Sequence, residues 1–354
     1  MSIGIDFGFS NVKIVEIEKD GNNLVVKRIG SKKVIEDLNN YNPENITKAN
    51  WIAAIQELCQ EMGINPTKMK NVTSGLSGKQ VSIKQITTLE MDSQELSTSL
   101  ELEAKKHLPL DGTEPIIDYH ILGQNKDEID KNNILLVATT KNSISKHNEI
   151  MKGAGFKGGG VFDSDAISLI NSFLHSYDLS EDGVDVLINI GTQSTSLLCW
   201  GKNHQFFSRE LDIGGYHFTK ATMQKNNVSF AEGEKIKIEK GVLSVSSVNM
   251  DDTTSDPLAI KVEEQTIYSN LIEELRKTLR FYMKSNNQTY YNRFFITGGS
   301  ASLIGLKDFI NKELNVEVEF FDPLNKIDYN GTVDNPCQFA TALGLAIRGL
   351  YIGK

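Results

Sequence analysis

Two observations predict two related α/β domains, each built on an open mixed sheet. The first is a pair of matching stretches, Ile3-Gly4-Ile5-Asp6-Phe7-Gly8-Phe9-Ser10-Asn11-Val12-Lys13 and Leu187-Ile188-Asn189-Ile190-Gly191-Thr192-Gln193-Ser194-Thr195. Each reads apolar, then Asp or Asn, then apolar, Gly, a small polar turn and a return to apolar alternation. The second is the order of elements following the first stretch, a strand meander, a helix and a returning strand, which is the βββαβα half of an open mixed sheet. A strand ending in an acid, a Gly-containing turn and a second strand present backbone N–H groups and hydroxyls to an anion. Two copies predict two domains closing on one polyphosphate.

The 354-residue length suits about two domains. Net charge is −9 with acids and bases interspersed, which argues against broad nucleic-acid or anionic-membrane binding. Cys59, Cys199 and Cys337 lie far apart without metal-ligand spacing and read as reduced, packed thiols. No apolar run approaches the ~18 residues of a membrane span, so no direct membrane insertion is expected.

Residues 3–7, 12–17 and 24–29 form the opening meander, with the turn Asp20-Gly21-Asn22-Asn23 before the third strand. Ile46 to Met62 has helical spacing and stops at Gly63, and Val72 to Gly78 is a buried strand running into a Gly-containing loop. From Val81 the chain turns to short alternating segments and a charged helix, Ser93 to His107, broken at Leu108-Pro109-Leu110. Residues 81–133 are therefore expected to be an inserted subdomain. Ile134 to Thr139, continuously apolar, is expected to return to the central sheet. A helix from Ser143 to Ala154, a strand near Gly160-Val161-Phe162 and a helix from Asp165 to Tyr177 complete the first half. The second half opens at Val184 with the second hairpin, a third strand at 205–211 and a turn at Ile213-Gly214-Gly215. Lys240 to Pro257, rich in Ser, Asp and Thr, reads as a mobile loop, followed by a long helix from Val262 to Met283. A strand into Gly298-Gly299-Ser300 and a helix start, a strand at 316–320 and a closing helix from Phe339 to Leu350 end the chain.

In the first hairpin Gly8 lets backbone approach a phosphate, Phe9 is in the turn, Ser10 and Asn11 can donate, and Lys13 can reach the same anion. In the second, Gly191, Thr192, Gln193 and Ser194 form a polar row denser than a structural turn requires. Asp6 is a candidate metal ligand through water. Asn189, at the equivalent place, can order water around a cation but brings no charge. Gly298, Gly299 and Ser300 suit close approach to a nucleoside, with a helix N-terminus favouring anions. Glu234 and Lys237, three apart on a helix, could address a ribose or base edge, although a solvated helix face would look the same. Asp6, Asp163 and Asp165 are the catalytic candidates, and an N-cap role would account for one of the last two. No Walker loop or Ser/Cys–His triad motif is present.

The order of these motifs resembles the actin-like ATPases, whose duplicated ribonuclease H-like fold encloses an interdomain nucleotide. Within them the chain is similar to the PilM family of type IV pilus assembly proteins, relatives of the division protein FtsA. Further carriers are Glu103-Ala104-Lys105-Lys106-His107-Leu108-Pro109, Asp163-Ser164-Asp165-Ala166, Thr297-Gly298-Gly299-Ser300-Ala301-Ser302-Leu303-Ile304-Gly305-Leu306 and Ala340-Thr341-Ala342-Leu343-Gly344-Leu345-Ala346. The resemblance implies subdomain 1A at 1–80 and 134–180, an FtsA-type 1C insertion at 81–133, 2A at 181–215 and 291–336, 2B at 216–290, and a closing helix at 337–354 returning to 1A. It implies ATP or ADP with Mg²⁺, a cytoplasmic position at the inner face of the membrane, and a grip on the N-terminal cytoplasmic peptide of PilN. Contacts with pilus inner-membrane platform proteins and a homo-oligomer are compatible with it. Asn189 stands where the family pattern has Asp, which weakens the case for metal-assisted hydrolysis. The 240–257 loop is longer than the pattern suggests.

The leading expectation is an ATP-binding scaffold with slow or absent hydrolysis. A small-molecule kinase on the same fold would need a carboxylate base in the cleft, from Asp163 or Asp165. A filament-forming division protein like FtsA would carry an amphipathic membrane helix beyond the fold.

Overall fold

The computed structural model describes residues 1–21, 23–108, 111, 113–125, 128–157, 160–245 and 266–351. Strands β1 (Ser2–Phe7), β2 (Asn11–Asp20) and β3 (Asn23–Lys33) form the opening meander. Helix α1 (Lys48–Glu61) and strand β4 (Val72–Leu76) follow. The insertion contains β5 (Val81–Leu89), α2 (Ser93–Lys105), β6 (Pro115–Gln124) and β7 (Lys131–Thr140). Helix α3 (Lys141–Gly153), strand β8 (Val161–Ser164) and helix α4 (Asp165–Ser176) complete domain 1. Domain 2 contains β9 (Asp185–Ile190), β10 (Thr195–Gly201), β11 (His204–Leu211), α5 (Gly215–Asn226), α6 (Phe230–Lys240) and α7 (Ile267–Ser285). It ends with β12 (Arg293–Thr297), α8 (Leu306–Leu314), β13 (Val318–Phe320) and α9 (Ala340–Gly349).

The duplication is explicit in the sheets. One has the order β3-β2-β1-β4-β8 and the other β11-β10-β9-β12-β13. In both, the meander is antiparallel and the strands beyond it are parallel. Each is thus covered on both faces, as parallel strands require. In β9, Val186, Ile188 and Ile190 face the layer formed by α5, α7 and α8, and Leu187 faces α4.

The layer between the two sheets is α4 and α9. Leu169 and Phe173 of α4 pack on Leu187, Leu198 and Phe295 of domain 2, whereas Leu343, Ala346 and Ile347 of α9 pack on Val15 and Ile17 of domain 1. Small residues allow this. A Cβ on Gly344 would run into the carbonyl of Ser168 in α4, and one on Gly4 into the α9 backbone at Ala342. The chain passes between domains after α4 and again before α9, and the two crossings are bonded together, Ser176 Oγ donating to the Pro323 carbonyl at 2.8 Å.

Three expectations need correction. The 134–139 run is not in the domain 1 sheet. It forms most of β7, the middle strand of a separate three-stranded sheet, β5-β7-β6. Ile134, Leu136 and Ala138 pack there on Leu96, Leu100 and Ala104 of α2, so the inserted sheet runs to Thr140, beyond the expected end at 133. The helix after Gly298-Gly299-Ser300 starts only at Leu306, because residues 298–305 are turns and Gly305 at φ +75° caps the helix. The start of the expected 240–257 loop is ordered: Lys240 closes α6 and Gly241–Val245 form a 3-10 turn. Residues 246–257 of that loop, and 262–265 of the expected long helix, lie outside the described residues.

Candidate functional site

Between the domains lies a cavity of about 510 Å³. All fourteen cofactor-binding candidates line it: Gly8, Phe9, Ser10, Asn11, Lys13, Gly191, Thr192, Gln193, Ser194, Glu234, Lys237, Gly298, Gly299 and Ser300. Asp6, Asn189 and Asp165 line it too, whereas Asp163 does not.

The first hairpin turn is held from behind by α1, where the Trp51 indole N–H donates to the Gly8 carbonyl at 3.2 Å and the Trp51 ring meets Phe9 edge-on. A Cβ on Gly8 would crowd the Asn11 carbonyl and lie 2.9 Å from Lys13 Nζ. Strand register places Asp6 opposite Lys13, and Lys13 Nζ donates to Asp6 Oδ2 at 2.9 Å. The acid of this turn thus has its own cation, with both side chains largely buried.

The second turn is built the same way with different chemistry. Register places Asn189 opposite Ser196, so neither charge of the first hairpin is repeated. The Gly191 N–H donates to the Ser194 carbonyl at 2.9 Å, closing the turn, and the Ser194 hydroxyl donates to Glu210 at the end of β11. The Gly214-Gly215 pair, expected as a turn, abuts this hairpin as α5 begins: Gly215 and Tyr216 N–H donate to the Gly191 and Thr192 carbonyls at 2.9 and 2.8 Å.

Gly298 needs to be glycine. Its φ is +95°, and a Cβ would lie 2.5 Å from Asn189 Oδ1 and 2.6 Å from the Ile190 carbonyl. At Gly299 a Cβ would meet nothing within 4 Å. Ser300 ties this turn to the second hairpin, its N–H donating to the Ile190 carbonyl at 3.0 Å and its Oγ to the Gly191 carbonyl at 3.2 Å.

Glu234 and Lys237 are not on a solvated helix face. The Lys237 side chain is 10% exposed, and its Nζ lies 2.7 Å from Glu234 Oε2 and donates to Thr219 Oγ1 at 2.9 Å. This buried cation faces the cleft from α6.

The two remaining acids diverge. Asp165, the first residue of α4, is half-buried, and its Oδ1 atom is buried without a hydrogen-bond partner. Burial foremost, then the carboxylates of Asp6 and Glu210, hold its carboxyl well above the usual carboxylate range. The same oxygen is pressed against Gly75, where any Cβ would overlap it. Asp163 points elsewhere, with Arg348 Nε 3.8 Å from its Oδ2, so it is corrected from a cleft candidate to a buried structural acid. Burial pushes the Asp163 carboxyl up to about 6, against the opposing Ser164 N–H and Arg348. The folded chain therefore keeps this proton to higher pH than the unfolded chain. Its contribution to stability is fully present below about pH 4 and is lost as pH rises through about 6, a loss of roughly 3 kcal/mol. Asp163→Asn is expected to raise the urea midpoint at pH 7.5 and leave it nearly unchanged at pH 4; equal shifts at both would refute this account.

Sequence reasoning missed Glu210, Thr219 and an aromatic wall of Tyr41, Tyr216 and Phe230, which line the cavity from four elements. Nothing local marks these positions; only the Gly214-Gly215 turn signal pointed toward Tyr216. Among the described residues, no group of three or more His, Cys, Asp or Glu is placed to hold a metal ion. The arrangement offers two polar turns and two buried lysines to a polyanion, with an aromatic and aliphatic wall at one end.

A family model described as type IV pilus assembly protein PilM matches residues 4–350. The chain belongs to the PilM family. Among solved structures, one titled "PilM-PilN type IV pilus biogenesis complex" superposes at a TM-score of 0.78 with 22% identity, covering 99% of this chain and 98% of the other. The ethanolamine utilization protein EutJ of Carboxydothermus hydrogenoformans follows at 0.52 and 12% identity, covering 98% and 89%. A diol dehydratase-reactivating factor, solved nucleotide-free, aligns at 0.51 and 8% identity over 98% and 99%. The repeated sheet order and these superpositions over nearly the whole chain agree with the expected duplicated, actin-like two-domain fold. As a PilM-family protein the chain is a type IV pilus assembly component, and neither the kinase nor the division-protein reading is favoured. Among the described residues, no helix is long and apolar enough to cross a membrane.

Proposed function

We propose that this PilM-family protein is an ATP-binding scaffold on the cytoplasmic face of the pilus machinery, that it grips the N-terminal peptide of PilN, and that it hydrolyses ATP slowly or not at all. The observation that carries the nucleotide reading is the convergence of two equivalent hairpin turns, the Gly298-Gly299-Ser300 turn and the Glu234–Lys237 pair on one cavity. The residues fit such a group: Gly299 leaves open space in the cleft lining, and the largely buried Lys13 and Lys237 side chains line the same cavity. ATP or ADP would place phosphates between Ser10, Asn11 and Lys13 on one side and Thr192, Gln193 and Ser194 on the other. Mg²⁺ would supply charge neutralisation, held through water by Asp6 with Asn189 as a neutral neighbour. Slow hydrolysis is supported by the same residues. Asp6 already serves Lys13 at 2.9 Å, and Asn189 at the equivalent place in the second hairpin brings no carboxylate. Nucleotide retained by purified protein, without turnover above about 0.01 s⁻¹, is the expected result; turnover in the usual enzymatic range of about 1 s⁻¹ or more would overturn the scaffold reading.

For PilN we propose the junction of subdomain 1A with the insertion. A second cavity of about 450 Å³ lies there, between Leu76–Lys79, the start of β5 at Val81–Lys84 and Lys106–Leu108. An extended peptide along β5 would use main-chain hydrogen bonds as an added strand does. This groove shares Asp165, Ser196 and Glu210 with the nucleotide cleft. Glu210 accepts from Ser194 in the second phosphate turn and lies against Gly78 at the entrance to the insertion. Next to it β11 is fastened to β5, Phe206 N–H donating to Gln85 Oε1 at 2.8 Å. These contacts support a route by which nucleotide sets the shape of the peptide groove. Glu210→Gln is expected to keep ATP binding while reducing the ATP-dependence of PilN-peptide affinity by about tenfold, a coupling of ~1.4 kcal/mol. Calorimetry with and without ATP measures it, and unchanged coupling removes Glu210 from the route. Contacts with other platform proteins and self-association belong to the same proposal and are tested by co-purification with PilN.

A further inference from the structure

The segment between β3 and α1, residues 34–47, is not part of either sheet, yet it reaches across the cleft. It begins bonded to the first phosphate turn, Val34 N–H donating to the Ser10 carbonyl at 2.8 Å. It then runs through two 3-10 turns, Leu38–Asn40 and Pro43–Asn45, with Tyr41 between them. The Tyr41 ring lies 5.5 Å from Phe230 and 6.0 Å from Tyr216, which are themselves 5.7 Å apart. Phe230 and Tyr216 start α6 and α5 of domain 2, so an aromatic side chain of domain 1 packs on the domain 2 wall of the cleft.

The tyrosine is 8% exposed, and its hydroxyl is buried without a hydrogen-bond partner. Phenylalanine would pack as well without leaving a buried donor unpaired. Burial foremost, then the neighbouring Glu234 carboxylate, hold the phenol proton on, so the group remains a donor. Glu234 is already engaged by Thr219 and Lys237, and both Glu234 and Tyr41 line the cavity. An unpaired donor at this end of the cleft suits an acceptor on a ligand that arrives later.

We propose that residues 34–47 are a strap over the nucleoside end of the cleft, with Tyr41 as its latch: the ring holds the domains together against Tyr216 and Phe230, and the hydroxyl donates to the ribose or base of the bound nucleotide. This rests on the nucleotide reading above and adds that domain 1 contributes to nucleoside recognition and sets the rate of exchange. Release requires Tyr41 to leave its two aromatic partners. Closure orders no new backbone, because the strap already rests on the first phosphate turn.

The test is a chase of radiolabelled ATP by excess unlabelled ATP on the full chain, with thermal midpoints of the nucleotide-free proteins measured alongside. Tyr41→Ala and Phe230→Ala are expected to release ATP about tenfold faster, with association changed less than about threefold. Tyr41→Phe keeps the ring and fold, and is expected to release ATP about threefold faster through loss of the hydroxyl alone. Wild-type protein that retains ATP while Tyr41→Ala and Phe230→Ala release it within about twofold of the wild-type rate overturns the strap and leaves the nucleotide reading standing. A Tyr41→Phe rate equal to wild type overturns the hydroxyl contact even if the alanine variants do not fold. Wild-type protein that retains no ATP overturns both readings.

Discussion

Gly299→Asp is expected to abolish ATP retention without measurable loss of thermal stability. A Cβ at this position meets nothing within 4 Å, and the residue lines the cleft, so the new carboxylate has room without displacing protein atoms. Gly299 belongs to the turn assigned to the nucleoside, so the new carboxylate would occupy that space and bring charge into a cleft holding a polyanion, and a penalty of ~3 kcal/mol, about a hundredfold in affinity, is expected. Gly298→Asp would also lose binding, but through distortion, since its Cβ collides with Asn189 and the Ile190 carbonyl at a positive φ. Calorimetry on the two variants separates charge from strain. Unchanged affinity in Gly299→Asp would place the nucleotide elsewhere.

Gly344→Val is expected to have the largest effect on stability. Position 344 is where α9 crosses α4 closely enough for a Cβ to overlap the Ser168 carbonyl, and both backbones are buried between two sheets. The helices must separate, which opens the packing of Phe173 and Leu169 on one side and Leu343 and Ala346 on the other. Overpacking combined with lost burial at such a site costs more than about 4 kcal/mol. The variant should accumulate as insoluble protein, or show a urea midpoint far below wild type when followed through buried Trp200, which packs edge-on against Phe173. A soluble variant with the wild-type midpoint would mean that α4 and α9 are not tightly opposed.

The hairpins were legible because everything that makes them is local: strand alternation on both sides, a glycine where backbone crowds, and short polar side chains between. Their equivalence was visible for the same reason, down to the contrast of Asp6 with Asn189. The placement of Ile134–Thr139 was not legible. A continuous apolar run fits the middle of any sheet covered on both faces, and only the packing of α2 against Ile134, Leu136 and Ala138 assigns it to the insertion. Asp163 and Asp165 illustrate a finer limit. They flank one strand-to-helix junction and look interchangeable in sequence, but the turn at Ser164 sends one towards Arg348 and the other to the cleft. Glu234–Lys237 looked like an ordinary helical ion pair until Thr219, from a different helix, enclosed it. Tyr41 and Glu210 could not be found at all, since their roles depend on partners across the domain interface or in a neighbouring loop.

The bond between Ser176 and Pro323 has a mechanical consequence. Because the two interdomain crossings lie side by side, a turn of one domain against the other about that point is the expected relative motion. A rotation of a few degrees moves atoms near that point very little and atoms far from it by several times more. Small shifts at the phosphate turns would then appear enlarged at contacts lying far from the crossings.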